Sequence, residues 1–170
     1  KGDCRITTVL FDHNVDLLHD RTDLQAVSLL TDADYRIGGS TALLDAIGST
    51  INKIGNAIKH TAEDYRPEKV LVCIITDGME NASRYYGADQ VKHMIKRQQD
   101  KYGWEFIFLG ANIDAVETAG RYGIRPDRAS RYHADKEGID LNYGSMSETI
   151  VNLRVNKTID ENWKQSIDED

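Results

Sequence analysis

The order of apolar and polar positions along the chain predicts strands and helices in turn. Residues 6–11, ITTVLF, are β-branched and apolar and predict a strand. Residues 15–19 and 27–30 are two shorter extended candidates, and the polar segment between them suits a hairpin or meander at a sheet edge. We therefore expect the amino-terminal part of the chain to be extended.

The clearest predicted helix follows the glycine pair at residues 38–39. Its apolar residues recur at steps of three and four, which places them on one helical face: Leu44, Ile47, Ile51, Ile54 and Ile58. Beyond it, residues 70–75 and 106–109 are continuous apolar runs of the kind found in parallel strands covered on both faces. Cys73 lies inside the first run and is expected to be a buried residue of the core.

Helix-start patterns divide the second half of the chain. A helix is predicted around residues 88–102, a short one after the capping pair Asp114 and Glu117, and another after the pair Ser145 and Glu148. A last short strand is predicted at residues 129–133.

This alternation predicts an α/β fold, a three-layer, doubly wound, Rossmann-like sheet that is mostly parallel and has helices on both faces. Residues 1–155 form the expected domain. Residues 156–170 form an acidic tail, expected to be mobile, with Trp163 as its one large apolar residue.

Composition narrows the class of protein. The chain has 170 residues, of which 40% are hydrophobic and 29% charged, which is ordinary for a soluble globular domain. A net charge of -7 argues against nucleic acid as the partner, and no apolar run is long enough to predict a membrane span. The two cysteines have neither metal-binding nor disulfide spacing, so we expect a reducing, cytoplasmic location.

Two motifs offer oxygen ligands at predicted strand and helix ends. GGSTALLDAI, residues 38–47, leads into the long helix, and IITDGMEN, residues 74–81, ends a buried strand. The Thr41 hydroxyl and the Asp77 carboxylate are hard donors that suit Mg²⁺, Mn²⁺ or Ca²⁺. Structural alternatives are open for both, since Thr41 is also a good helix cap and Asp77 precedes a glycine in a turn.

These two motifs, in this order, resemble those of the von Willebrand factor A (vWA) domain family. Their amino-acid sequences are similar to those of uncharacterised bacterial members. The resemblance covers roughly residues 6–133. It implies a doubly wound sheet with a metal-ion-dependent adhesion site at its top edge, whose open coordination position takes an acidic side chain of a partner protein. It further implies Thr41 and Asp77 as metal ligands. Weaker or supporting candidates are Ser40, Asp45, Asn81 and Asp12.

One part of the family pattern is absent. The first metal motif, Asp-x-Ser-x-Ser, does not occur; the nearest substitute is Asp12-x-Asn14-x-Asp16. Residues 6–11 therefore match the second strand of the family better than the first, which would then lie upstream of Lys1. A sheet lacking its first, central strand would expose an edge, so we expect a homodimer or a domain swap, and weak or absent metal binding.

No enzyme class fits the motifs. The nucleophile elbow GxSxG, the dinucleotide loop GxGxxG and the phosphate loop GxxxxGK are all missing. The sequence therefore predicts a non-enzymatic, metal-ion-dependent protein-binding module. The alternative is a scaffold or oligomerisation domain with a vestigial metal site, and a Mg²⁺-dependent phosphoryl hydrolase is a distant third.

Overall fold

The computed structural model describes residues 2–31, 33–34 and 38–170. It divides into two compact units. The first unit contains the described residues up to His60 together with Met79–Gly87, and the second contains Thr61–Gly78 and Ala88–Asp170. Within these described residues, five strands form two sheets, one in each unit.

The first unit is a β-hairpin with one long helix. Strand β1 (Arg5–Phe11) pairs antiparallel with β2 (Val15–Asp23), and helix α1 (Leu43–Lys59) packs on β1. The predicted strand at residues 6–11 and the predicted long helix are thereby confirmed, but the hairpin expected between residues 15–19 and 27–30 is wrong, because β2 pairs with β1 instead. The strand predicted at residues 27–30 is wrong: these residues have no regular structure, and Leu29 is 90% exposed. Their apolar character does not lead to burial, because no strand in the described part pairs with them.

The second unit is a three-stranded parallel sheet flanked by helices. The strands are β3 (Leu71–Thr76), β4 (Glu105–Gly110) and β5 (Ala129–Arg131), in the spatial order β3-β4-β5. The helices are α2 (Ala88–Tyr102), α3 (Ala115–Arg121), α4 (Lys136–Asn156) and α5 (Gln165–Asp168). The coarse prediction of an α/β fold with parallel strands is therefore confirmed.

Both faces of the central strand β4 are buried. Phe108 lies on one face and packs against Tyr122, just after α3, with ring centroids 6.4 Å apart. Ile107 and Leu109 lie on the other face, in a core cluster that includes Met146 of α4. Strand β3 differs, because it pairs with a strand on one side only among the described residues. Cys73 as a whole residue is exposed on this strand. Its Sγ nevertheless lies 3.2 Å from Sδ of Met146, and burial raises the pKa of the thiol to about 12. The prediction that Cys73 is buried is therefore confirmed for the thiol but not for the residue as a whole.

Two predicted helix starts have different outcomes. The Asp114 side chain accepts a hydrogen bond from the amide of Glu117 at 2.8 Å and caps α3, as predicted. The start predicted at Ser145 is wrong, because α4 begins at Lys136 and is capped by Asp135. Ser145 is buried within the helix, where its hydroxyl hydrogen-bonds that of Ser166 at 2.9 Å.

The carboxyl-terminal segment packs on the second unit. Ile159, Trp163 and Ile167 are all at least nine-tenths buried in the core cluster that contains Met146. The acidic residues, on which the prediction of a mobile tail rests, occupy exposed positions between and after them. No helix in the described part of the chain is long and apolar enough to cross a bilayer.

Candidate functional site

The loop that carries Thr41 is held by hydrogen bonds to both the amide and the carbonyl of that residue. The Thr41 amide donates to Oδ1 of Asn81 at 2.8 Å, and the Thr41 carbonyl accepts from the amide of Asn81 at 3.0 Å. Helix α1 has Ala42 at its N-cap and no side-chain cap, so Thr41 does not cap the helix. Its hydroxyl has no hydrogen-bond partner among the described residues, which leaves the oxygen available to a ligand.

Asp12 lies beside this loop, at the end of β1. Its carbonyl accepts from the amide of Ala42 at 2.6 Å, and a Cβ built on Gly38 would lie 2.4 Å from the Cβ of Asp12. The pKa of the Asp12 carboxyl is lowered, chiefly because the backbone amide of Asn14 donates to it. Asp12 therefore lies against both ends of the loop segment 38–42.

Asp45 is a buried carboxylate that holds a second segment of backbone. It is 6% exposed, and it accepts hydrogen bonds from the amides of Arg84, Tyr85 and Tyr86 at 2.8–2.9 Å. Burial by itself raises the pKa of Asp45, but the three amides together outweigh that effect and hold the pKa below its usual value. The carboxylate also lies in the first turn of α1, where negative charge is favourable.

Glu80 completes this arrangement, and the sequence analysis did not single it out. One carboxylate oxygen accepts from the amides of Ala82 and Ser83, and the other accepts from the amide of Leu44 at 2.9 Å. Ser83 Oγ in turn accepts from the amide of Asp45 at 3.0 Å. One general rule could have pointed to an acceptor such as Glu80. The first four amides of any helix need acceptors, and other residues must supply them when the helix lacks a side-chain cap. Glu80 and Ser83 supply acceptors for two of these amides, those of Leu44 and Asp45.

Asn81, a supporting candidate for the metal site, acts on the backbone of the Thr41 loop. Its side-chain Oδ1 accepts a hydrogen bond from the amide of Thr41. The structure thus brings Asp12, Ser40, Thr41, Asp45 and Asn81 into one unit.

Asp77 belongs to the second unit, directly after β3. Its turn is fixed by the Thr76 hydroxyl, which donates to the carbonyl of Gly78 at 3.0 Å. The Asp77 side chain is exposed and has no hydrogen bond or ion pair with any described residue. It is therefore a carboxylate at the carboxyl end of a parallel strand, the position at which such sheets bind ligands.

The carboxyl ends of β4 and β5 form a cleft that the sequence analysis did not predict. Its lining includes Asn112, Asp114 and Arg131. Asn112 has a positive φ of 58°, and its side-chain amide donates to the carbonyl of Asp77 at 3.4 Å. The cleft carries a cation and a carboxylate, but that carboxylate is already bound to the amide of Glu117.

No group of three or more His, Cys, Asp or Glu side chains in the described part of the chain is arranged to hold a metal ion.

Comparisons with protein-family models, with curated proteins and with solved structures found no match to this chain.

Proposed function

We propose that the chain is a metal-ion-dependent protein-binding module of the vWA type. The proposal includes the finer fold assignment, a doubly wound sheet, and an ion of the Mg²⁺, Mn²⁺ or Ca²⁺ class held by Thr41 and Asp77. The observation that carries it is the Thr41 loop. Its backbone is fixed by Asn81 while its hydroxyl oxygen has no partner among the described residues. A fixed donor with a free oxygen is suited to binding a hard cation.

The number of metal ligands that the chain offers also indicates what kind of partner group would bind the ion. Thr41 and Asp77 supply two oxygens, whereas Mg²⁺ prefers six, so water and an incoming ligand would complete the coordination. A carboxylate of a second protein is the ligand whose charge best complements the ion. In this proposal the partner protein offers an acidic side chain to the metal.

The test is thermal unfolding of the full chain in chelator and then in excess Mg²⁺ or Mn²⁺. An ion at about 100 times its dissociation constant stabilises the folded state by roughly 2.7 kcal/mol. For a chain of this length we expect a rise in Tm of about 5 to 11 °C. Asp77→Ala and Thr41→Val should abolish the rise. Asp89→Ala, which removes an exposed acidic side chain from α2, should retain it. A Tm that is unchanged at saturating ion would refute the metal site.

A second candidate is a scaffold or oligomerisation domain whose metal site is vestigial. The observation that favours it is the outer edge of β3, which pairs with no strand among the described residues. The two candidates differ on Asp77, because Asp77→Ala should abolish partner binding in the first case and leave it intact in the second.

A further inference from the structure

The carboxylate of Asp12, directly after β1, is held with one oxygen bound and the other free. Oδ1 accepts a hydrogen bond from the amide of Asn14 at 2.7 Å and lies 3.2 Å from Nδ1 of His13. Oδ2 makes no hydrogen bond to any residue that the structure describes. The side chain is 27% exposed, so the carboxylate is neither buried in the core nor fully solvated. Asp12 therefore offers an anionic oxygen whose position is fixed by its turn.

A glycine at position 38 makes room for this carboxylate. A Cβ built on Gly38 would lie 2.4 Å from the Cβ of Asp12 and 2.8 Å from its Oδ2. Any other residue would displace the Asp12 side chain or the loop, because non-bonded carbon atoms do not approach so closely. A Cβ built on the next residue, Gly39, has nothing within 4 Å. The close approach is thus specific to Gly38, and it places Oδ2 on the side of Asp12 that faces the loop.

The other end of the loop is bound to the backbone of the same residue. The carbonyl of Asp12 accepts from the amide of Ala42 at 2.6 Å, and Ala42 directly follows Thr41. The amide of Thr41 is held by Asn81, and the Thr41 hydroxyl has no hydrogen-bond partner among the described residues. Two hard oxygen donors, one charged and one neutral, therefore lie in the first unit on segments that a backbone hydrogen bond joins. Such donors suit Mg²⁺ and Mn²⁺.

The other two residues of the Asp12-x-Asn14-x-Asp16 pattern are placed differently. Nδ2 of Asn14 lies 2.9 Å from Nε2 of His13. Asp16 is an exposed residue of β2, paired with Leu10 of β1. Of the three residues that could substitute for the absent Asp-x-Ser-x-Ser motif, only Asp12 lies against the Thr41 loop through contacts of both its side chain and its backbone.

We propose that Asp12 is a ligand of the metal centre and binds the ion through Oδ2, beside the Thr41 hydroxyl. The inference rests on the proposed metal-binding function. It adds a carboxylate that belongs to the same unit as Thr41, whereas Asp77 belongs to the other unit. A further anionic ligand raises the affinity of an oxygen site for a divalent cation. Gly38 is then a positioning residue, since its missing side chain lets the carboxylate approach the loop.

The test is the dissociation constant of the full chain for Mn²⁺, measured from the electron paramagnetic resonance signal of the free ion. Asp12→Asn keeps one oxygen for the amide of Asn14 and replaces Oδ2 with an uncharged amide group that cannot bind the ion. Loss of a group that only orients a ligand costs about 10–100-fold in metal affinity, so loss of the ligand should cost about tenfold or more. Gly38→Ala should also weaken binding, because it displaces the carboxylate. The matched controls, Asp16→Asn and Gly39→Ala, should bind Mn²⁺ as the unmodified chain does.

A second measurement locates the ion. Paramagnetic Mn²⁺ broadens the nuclear magnetic resonance signals of nearby amides, and those of Asn14 and Ala42 should broaden first in the unmodified chain. In Asp12→Asn they should not broaden at the same concentration of Mn²⁺. Circular dichroism in chelator checks the fold of each variant, and Gly38→Ala takes the place of Asp12→Asn if the latter is misfolded.

An affinity for Mn²⁺ that is unchanged in Asp12→Asn overturns the inference, and so does a chain that binds no Mn²⁺. The variant Asp77→Ala separates this result from a failure of the proposed function. If Asp77→Ala abolishes binding and Asp12→Asn does not, the proposed function stands and the inference is wrong. If Asp12→Asn weakens binding and Asp77→Ala does not, Asp12 is a ligand and the role proposed for Asp77 is wrong.

Discussion

The carboxylate of Asp45 offers the sharpest test of how the first unit is held together. The change is Asp45→Asn, which keeps the size of the side chain but replaces the oxygen that accepts from Arg84 with an amide group. A buried amide left without an acceptor costs about 1–3 kcal/mol. The hydrogen bonds from Tyr85 and Tyr86 survive, but they lose the strength that an ionised acceptor gives, about 0.5 kcal/mol each. We therefore expect a loss of about 2–4 kcal/mol.

Global unfolding of a chain with two units need not be two-state, so a local measurement is required. Amide hydrogen exchange at residues 84–86 is suited to it, because these are the amides that Asp45 binds. A loss of about 1.4 kcal/mol in local opening free energy accelerates exchange tenfold, and we expect at least that. Solvent denaturation with a fitted transition for each unit gives an independent value.

The matched control is Asp89→Asn, because Asp89 lies in the first turn of α2 as Asp45 does in α1. Asp89 is exposed, so its removal costs only the interaction with the helix dipole, about 0.3–1 kcal/mol. If Asp45→Asn is no more destabilising than Asp89→Asn, then the three backbone hydrogen bonds do not stabilise the fold and the reasoning is wrong.

Three further predictions concern the Asp45 carboxylate, two glycines of α1 and Trp163 of the second unit. The pKa of Asp45 is lowered in the folded state, so its contribution to folding stability is fully present above the unfolded pKa of 3.8. That contribution is lost as pH falls through the folded pKa. Acid titration of amide hydrogen exchange at residues 84–86 should show this loss in the unmodified chain and not in Asp45→Asn. Gly48→Ala places a Cβ 2.3 Å from the ring of Tyr86 and should destabilise by about 1–3 kcal/mol in denaturant unfolding, whereas Gly55→Ala meets nothing within 4 Å and should stabilise by about 0.5–1 kcal/mol. Trp163→Ala should cost about 3–5 kcal/mol in the second unit, and a change below 1 kcal/mol would mean that the carboxyl-terminal segment is not part of its core.

Much of the secondary structure could be predicted, because burial repeats with a regular period. Helix α1 shows this well: Leu44, Ile47 and Ile51 are buried and recur at helical spacing. The start of α4 could not be predicted from the Ser145 and Glu148 pair, since a capping pattern is equally compatible with the interior of a longer helix. The strand prediction for residues 27–30 was wrong because a short apolar run becomes a strand only where a partner strand is available.

The sequence singled out Thr41 and Asp45 as candidates but did not predict their contacts. The glycine-rich segment before the helix indicates a loop at Thr41, whereas the burial of Asp45 was not predicted. The hydrogen bond from Arg84 to Asp45 joins residues 39 positions apart, and no periodic pattern reports such a pair. For the same reason the sequence analysis passed over Glu80, which binds the amide of Leu44. Long-range polar contacts are decided by tertiary structure and leave little trace in local sequence.

The return of residues 79–87 to the first unit has a consequence for synthesis of the chain. The ribosome delivers the hairpin and α1 first, at a time when the carboxylate of Asp45 has none of its three backbone donors. Those donors arrive only after β3 has been made, because β3 lies between the two segments of the first unit. Domains generally fold during synthesis as their residues emerge, amino-terminal parts first. In this chain the amino-terminal unit is completed only after translation has passed Tyr86, so a ribosome stalled before that point would display an α1 whose first turn still lacks its partners.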